Sequence, residues 1–293
     1  MSDDPSVIPL PTAAAPAPAR TLRTFALAAV AAGVAGDIGP ADPAPEAAFL
    51  LAHLRAVDRG GGWVAGLGAA LESPDPADRP LVRLAAAMGL SVLEVLAVSL
   101  AAAVEDDVMV GRAFAHLQAP LGGSRPMLSL LAASLAELAP EGVRPIDLLA
   151  AGPAARGGLL TVLGDAAPLP ERAVAVPLHL CHALAGFDGA WPGGTVGPGE
   201  VPRVPLAAST AERAERHGRA LAAAPRQALA LRTGSAPEGR TVAGAIAAAA
   251  GRRPLFVEGD QTAGLGPWLL ARGLVPVFCF ELGPGERRVL PAV

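Results

Sequence analysis

The sequence predicts a mainly α protein with a small β element, followed by a short α/β unit built on a parallel sheet. Three observations carry that prediction. Residues 21–152 show helical apolar patterning between short loops, residues 145–190 shift to short helix-like and strand-like runs, and residues 206–293 alternate strand and helix patterns. The chain has 293 residues, 52% of them apolar, at a formal charge of −4, so most of it is expected to collapse around a core.

The elements follow in order. Residues 1–20 form a Pro/Ala tail, expected to be disordered, with no usable motif. Phe25 to Gly36 is apolar but well short of the roughly 20 residues that span a bilayer. The chain opens Met1-Ser2-Asp3-Asp4, which is acidic where a signal peptide is basic. Leu84 to Val104 is longer, yet Ala-rich with Glu94 in its middle, so both stretches are expected to be buried helices and no membrane partner is expected. Ser91-Val-Leu-Glu94 is a capping box: the Ser hydroxyl can accept from the N–H of residue 94 while Glu94 reaches back to the N–H of residue 91. Glu105-Asp106-Asp107 has the composition of a metal-binding run, but acids at the positive end of the next helix explain it more simply. Pro126 then precedes the apolar helix Met127 to Leu138.

Pro145 to Ala150 predicts a short helix, Gly158 to Gly164 a strand, Pro168 to Val176 an extended return and Leu178 to Gly186 another short helix. That order is what a winged-helix unit would give. Gly193 to Pro205 carries four Gly and three Pro and is expected to be a linker, dividing a helical, winged-helix-like region (21–192) from an α/β unit (206–293). Within the latter, Ala228–Arg232, Leu255–Glu258 and Val275–Glu281 are expected strands, and Thr241–Ala250 and Trp268–Arg272 expected helices.

Composition narrows the chemistry. The chain has no Lys, no Tyr and no Asn, which excludes a Schiff-base lysine or a tyrosine acid and weakens base stacking. Residues 1–204 hold 12 Arg and 20 acids, net −8, whereas residues 205–293 hold 11 Arg and 7 acids, net +4. That asymmetry fits two mutually complementary surfaces, or a C-terminal part that meets an anion, and it argues against nucleic acid as a partner. Cys181 and Cys279, far apart in sequence, look like buried hydrophobes of a reducing, cytoplasmic protein.

One motif carries specific chemistry. Gly234-Ser-Ala-Pro-Glu-Gly239-Arg240-Thr241 fits the P-loop pattern between an expected strand and an expected helix, with Arg240 in place of the Lys. Gly234, Gly239 and Arg240 would face nucleotide phosphate there, and Thr241 would reach magnesium if nucleotide binds. Arg is bulkier and planar, Pro237 lacks an N–H, and Glu238 adds negative charge near the phosphate seat. The third strand supplies a single acid, Glu281, for the two that would hold magnesium and activate water, and only twelve residues follow it. Glu281 is therefore the sole catalytic candidate, with strand-end solvation as the simpler reading. His179, Cys181 and His182 are too few for a metal centre.

The runs Leu84 to Leu100, Phe114-Ala-His-Leu-Gln118 and Arg125 to Leu131 resemble the N-terminal helical region of a group of bacterial AAA+ ATPases. So do Gly158 to Asp165, Leu169 to Val176 and Leu184 to Gly186, and the likeness extends over about residues 80–290. In that group a variant winged-helix domain precedes the ATPase core, and members are associated with contractile injection systems. The resemblance implies ATP- and magnesium-dependent remodelling by a ring of subunits, in particle assembly or cargo loading. Arg240 and the lone Glu281 depart from the family where its activity resides. The sequence thus predicts a non-catalytic adaptor or assembly protein whose partners are an intact AAA+ subunit or injection-system components. The alternative is an ATP-binding AAA+ subunit.

Overall fold

The computed structural model describes residues 20–34, 44–58, 60, 62–197, 204–224, 227–258, 262–283 and 285–289. The expected tail over residues 1–19 lies outside the described residues. The fold is mainly helical, with one two-stranded and one three-stranded sheet. No helix among the described residues is long and apolar enough to cross a membrane.

The helical body comprises α1 (Leu22–Val34), α2 (Pro45–Val57), α3 (Trp63–Glu72), α4 (Arg79–Met88), α5 (Val92–Ala103) and α6 (Val108–Leu117). Its centre is α1, in which every residue from Phe25 to Ala31 is at most 1% exposed. A helix apolar on all sides must be enclosed, and α2, α3, α5 and α7 (Leu128–Ser134) enclose it. The expected capping box opens α5: Ser91 Oγ accepts from Glu94 N at 3.3 Å, and Glu94 Oε2 accepts from Ser91 N at 2.9 Å. Glu94 is fully buried, and its other oxygen accepts from Ala154 N at 2.9 Å, so one carboxyl ties the start of α5 to a helix sixty residues away. The acidic triplet is absorbed as expected. Asp107 caps α6 through Met109 N, Arg23 pairs with Asp106 and Asp107, and Arg125 pairs with Glu105.

Next come α8 (Pro145–Ala151), α9 (Pro153–Arg156), β1 (Thr161–Leu163), β2 (Ala173–Ala175) and α10 (Leu178–Leu184). β1 and β2 form an antiparallel hairpin, and Met127 bridges to Ala173 just ahead of α7. The short elements expected over residues 145–186 are present, with the strands trimmed to three residues each.

The remainder is β3 (Gly194–Val196), α11 (Ala208–Ala223), α12 (Ala236–Ala249), β4 (Arg253–Val257), α13 (Leu265–Arg272) and β5 (Leu274–Phe278). Two expectations are corrected here. The segment taken for a linker contains β3, which pairs antiparallel with β4, so the sheet is mixed, in order β3-β4-β5 with only β4 and β5 parallel. Ala228–Arg232 forms no strand; it is exposed and outside both sheets.

Alternation along β4 sorts the layers. Leu255 and Val257 join the helical core together with Trp268 and Leu274, while Phe256 points to the opposite face, where Arg240 of α12 lies over its ring. Beyond α12 lies α11. The N–H of Val204, just before α11, donates to Thr241 Oγ1, and Gly218 in its second half backs onto Ile246 O and Ala249. The two helices therefore run in the same sense. The connection between them must return over the length of α11, about 24 Å. The twelve residues between the helices are ample for that span, and residues 227–233 among them join neither sheet.

Candidate functional site

Residues 234–241 were the sequence's one chemical motif, and their local structure follows a competing signal. Ser235-Ala-Pro-Glu238 is also a helix start, with a capping serine, proline in the first turn and an acid three residues on. That signal prevails. Ser235 has extended backbone (φ −133°, ψ 114°), its side chain caps Glu238 N, and α12 begins at Ala236, five residues before the expected Thr241. Gly239 and Arg240 are consequently inside the helix, and Gly234 is an open bend ahead of the cap. A phosphate nest requires backbone N–H groups splayed around a loop; here those from Gly239 onward are committed to the helical ladder, beginning with Gly239 N to Ser235 O at 2.9 Å. No strand leads into it.

The side chains are engaged as well. Arg240 forms an ion pair with Glu258, the residue after β4, and its guanidinium lies 5.2 Å from the Phe256 ring centroid. The same guanidinium neighbours Cys279. Burial pushes that thiol above its usual range, and Arg240 partly opposes the shift. Thr241 Oγ1 donates to Pro237 O at 2.9 Å and accepts from Val204 N at 3.2 Å, so the hydroxyl expected to reach magnesium is used twice within the protein. Glu281 lies three residues past the end of β5 and is exposed, and among the described residues no hydrogen bond or ion pair joins it to Arg240 or Thr241. The structure thus unites Arg240, Thr241, Glu258, Phe256 and Cys279 around the start of α12. Phe256, Glu258 and Cys279 are the members that sequence reading did not assign to a site; the place of Glu258 at the end of the apolar run Leu255–Val257 was the one available signal.

No family model, curated protein or solved structure matches this chain.

Among the described residues no three His, Cys, Asp or Glu side chains are placed to hold an ion. Cys181 donates weakly to Val176 O, and burial pushes its thiol up to about 12, which keeps it protonated near neutrality. His182 stacks edge-on near Phe187, and His179 against Trp191.

Proposed function

We propose that this chain is a non-catalytic adaptor or assembly protein related to the AAA+ ATPases of contractile injection systems, acting in the cytoplasm through protein partners. The observation that carries the non-catalytic reading is Arg240: its charge is spent on Glu258 and its plane on Phe256, where a phosphate-binding cation must stand free. The double use of the Thr241 hydroxyl and the exposed position of Glu281 support the same reading. For the helical region, the succession of Met127 bridge, α7, α8 and the β1–β2 hairpin supports a winged-helix-like unit. The net −8 of residues 1–204 favours protein over nucleic acid as its partner. The kinship itself rests on the sequence resemblance, and the partners it suggests are an intact AAA+ subunit or a component of the particle.

One observation favours a second reading, an ATP-binding AAA+ subunit. The start of α12 lies by the C-terminal end of β4, the side on which open α/β sheets hold their ligands. Calorimetric titration with ATP and ADP in the presence of magnesium separates the two. The adaptor reading expects no binding heat and no phosphate release above blank. Micromolar binding that Arg240→Ala abolishes would establish the second reading and remove the first.

A further inference from the structure

The contact between α10 and α13 is built on rings. The imidazole of His179 meets the Trp191 ring edge-on, with centroids 4.4 Å apart and planes at 77°. Trp191 in turn tilts against Trp268 of α13 at 5.5 Å, and both tryptophans are 1% exposed. Arg272 lies over the Trp268 ring, while its charge is held by Asp188 and by the carbonyls of Phe187 and Gly189. The turn that opens α13 closes the site. A Cβ built on Gly264 would lie 3.5 Å from His179 Nε2 and 3.1 Å from Gly158 O, so backbone fits here with no room to spare.

Within this packing His179 Nε2 is buried and has no hydrogen-bond partner among the described residues. Neutral imidazole tolerates that; imidazolium does not, because both ring nitrogens then carry a proton and each needs an acceptor. The charged groups around it offer no compensation. His182, one turn along α10, repels a second positive charge, and Arg272 of α13 is itself cationic. Asp188, the nearby acid, is taken by Arg272; Asp260, between β4 and α13, lies outside the described residues.

We propose that His179 is an acid-sensitive latch: as neutral imidazole it seats α10 on Trp191 and on the turn before α13, and its protonation loosens that joint between the helical body and the C-terminal elements. Burial, with a smaller contribution from His182, lowers its affinity for a proton below the usual 6.5. The sign follows from linkage. As pH falls through about 6.5 the unfolded chain takes up the proton first, so the stability supplied by the latch is complete above that value and is lost below it.

The test is the melting temperature at pH 7.5 and pH 5.5 for the full chain and for the His179→Phe and His179→Gln variants, with tryptophan emission recorded alongside. His53 on α2 is likewise depressed by burial and contributes its own acid loss, so the comparison between variants isolates His179. The parent protein is expected to lose at least about 2–4 °C more than either variant, the shift expected for ~1 kcal/mol in a chain of this size. Its emission should move to the red at pH 5.5 while theirs does not. An equal acid loss in all three proteins would overturn the proposal. Should neither variant fold, amide exchange in the parent decides. Faster exchange over residues 178–184 at pH 5.5, after correction for intrinsic rate, supports the latch, and unchanged protection overturns it.

Discussion

Replacing Glu94 is the most informative perturbation of the helical body, because one carboxyl serves three donors. Its Oε2 accepts from Ser91 N and Ser91 Oγ, both at 2.9 Å, and Oε1 accepts from Ala154 N at 2.9 Å. Ser91 is only half buried, so water can replace part of what its N–H loses. Ala154 is 1% exposed, and its N–H, orphaned in the interior, costs about 1–3 kcal/mol. Loss of the reciprocal cap adds about 1 kcal/mol. The space vacated by a side chain that is 0% exposed adds a further ~1 kcal/mol. Glu94→Ala is thus expected to cost about 3–5 kcal/mol in urea unfolding followed by circular dichroism. Glu94→Gln keeps one carbonyl acceptor and should cost about half as much. A cycle with Ser91→Ala should show a coupling of at least ~0.5 kcal/mol, since the two residues share bonds. If Glu94→Ala cost under ~1 kcal/mol, or the cycle were additive, the carboxyl would not be holding α5 to α9 and the reasoning would fail.

Three further outcomes are expected. Cys279, expected to be buried but exposed just past β5, should react with a disulfide reagent at pH 8 in the native protein, at a rate slowed by its raised thiol, whereas Cys181, whose thiol is pushed up to about 12, should react only after denaturation; equal native rates would contradict the burial argument. Gly218→Val should force α11 off α12, because even a methyl there would meet Ile246 O and lie 2.5 Å from Ala249 Cβ. The cost should be about 1–3 kcal/mol, with faster tryptic cleavage in the 224–235 connection, and an unchanged protein would disprove the close pairing. The double change Leu229→Asp, Leu231→Asp should cost under ~1 kcal/mol, since both residues are already 40% or more exposed, whereas a loss above ~3 kcal/mol would mean that this segment is a buried strand after all.

What was legible in the sequence was local. The Ser91–Glu94 box, the proline that opens α8 and the acid that caps α6 each work within one helical turn, and each appears where the residues put it. α1 and α5 were legible for another reason: a helix with no polar face has only the interior to occupy. The strands exposed the limit. A strand exists only if a second one pairs with it, and nothing within Ala228–Arg232 states that no neighbour will arrive. Conversely Gly194–Val196, hidden among glycines and prolines, becomes β3 because β4 offers it an edge, with Thr195 opposite Phe256.

The candidate site fell between these two cases, and its outcome bears most directly on function. Eight residues satisfied two patterns at once, a phosphate loop and a helix cap. The loop needs a strand behind it, its own cation left free and its own N–H groups left open; the cap needs only Ser235, Pro237 and Glu238, already adjacent. With residues 228–232 unpaired, nothing tethers the N-terminal side of the loop, and the helix extends backwards to its nearest capping residue. Arg240 is thereby brought level with Glu258 and pairs with it. The unpaired segment, the helix start at Ala236 and the Arg240–Glu258 pair thus follow one another along a short stretch of chain. With α12 capped by Ser235 and Arg240 paired to Glu258, titration with nucleotide alone is expected to give no binding heat, and micromolar binding would show that these contacts yield to a phosphate.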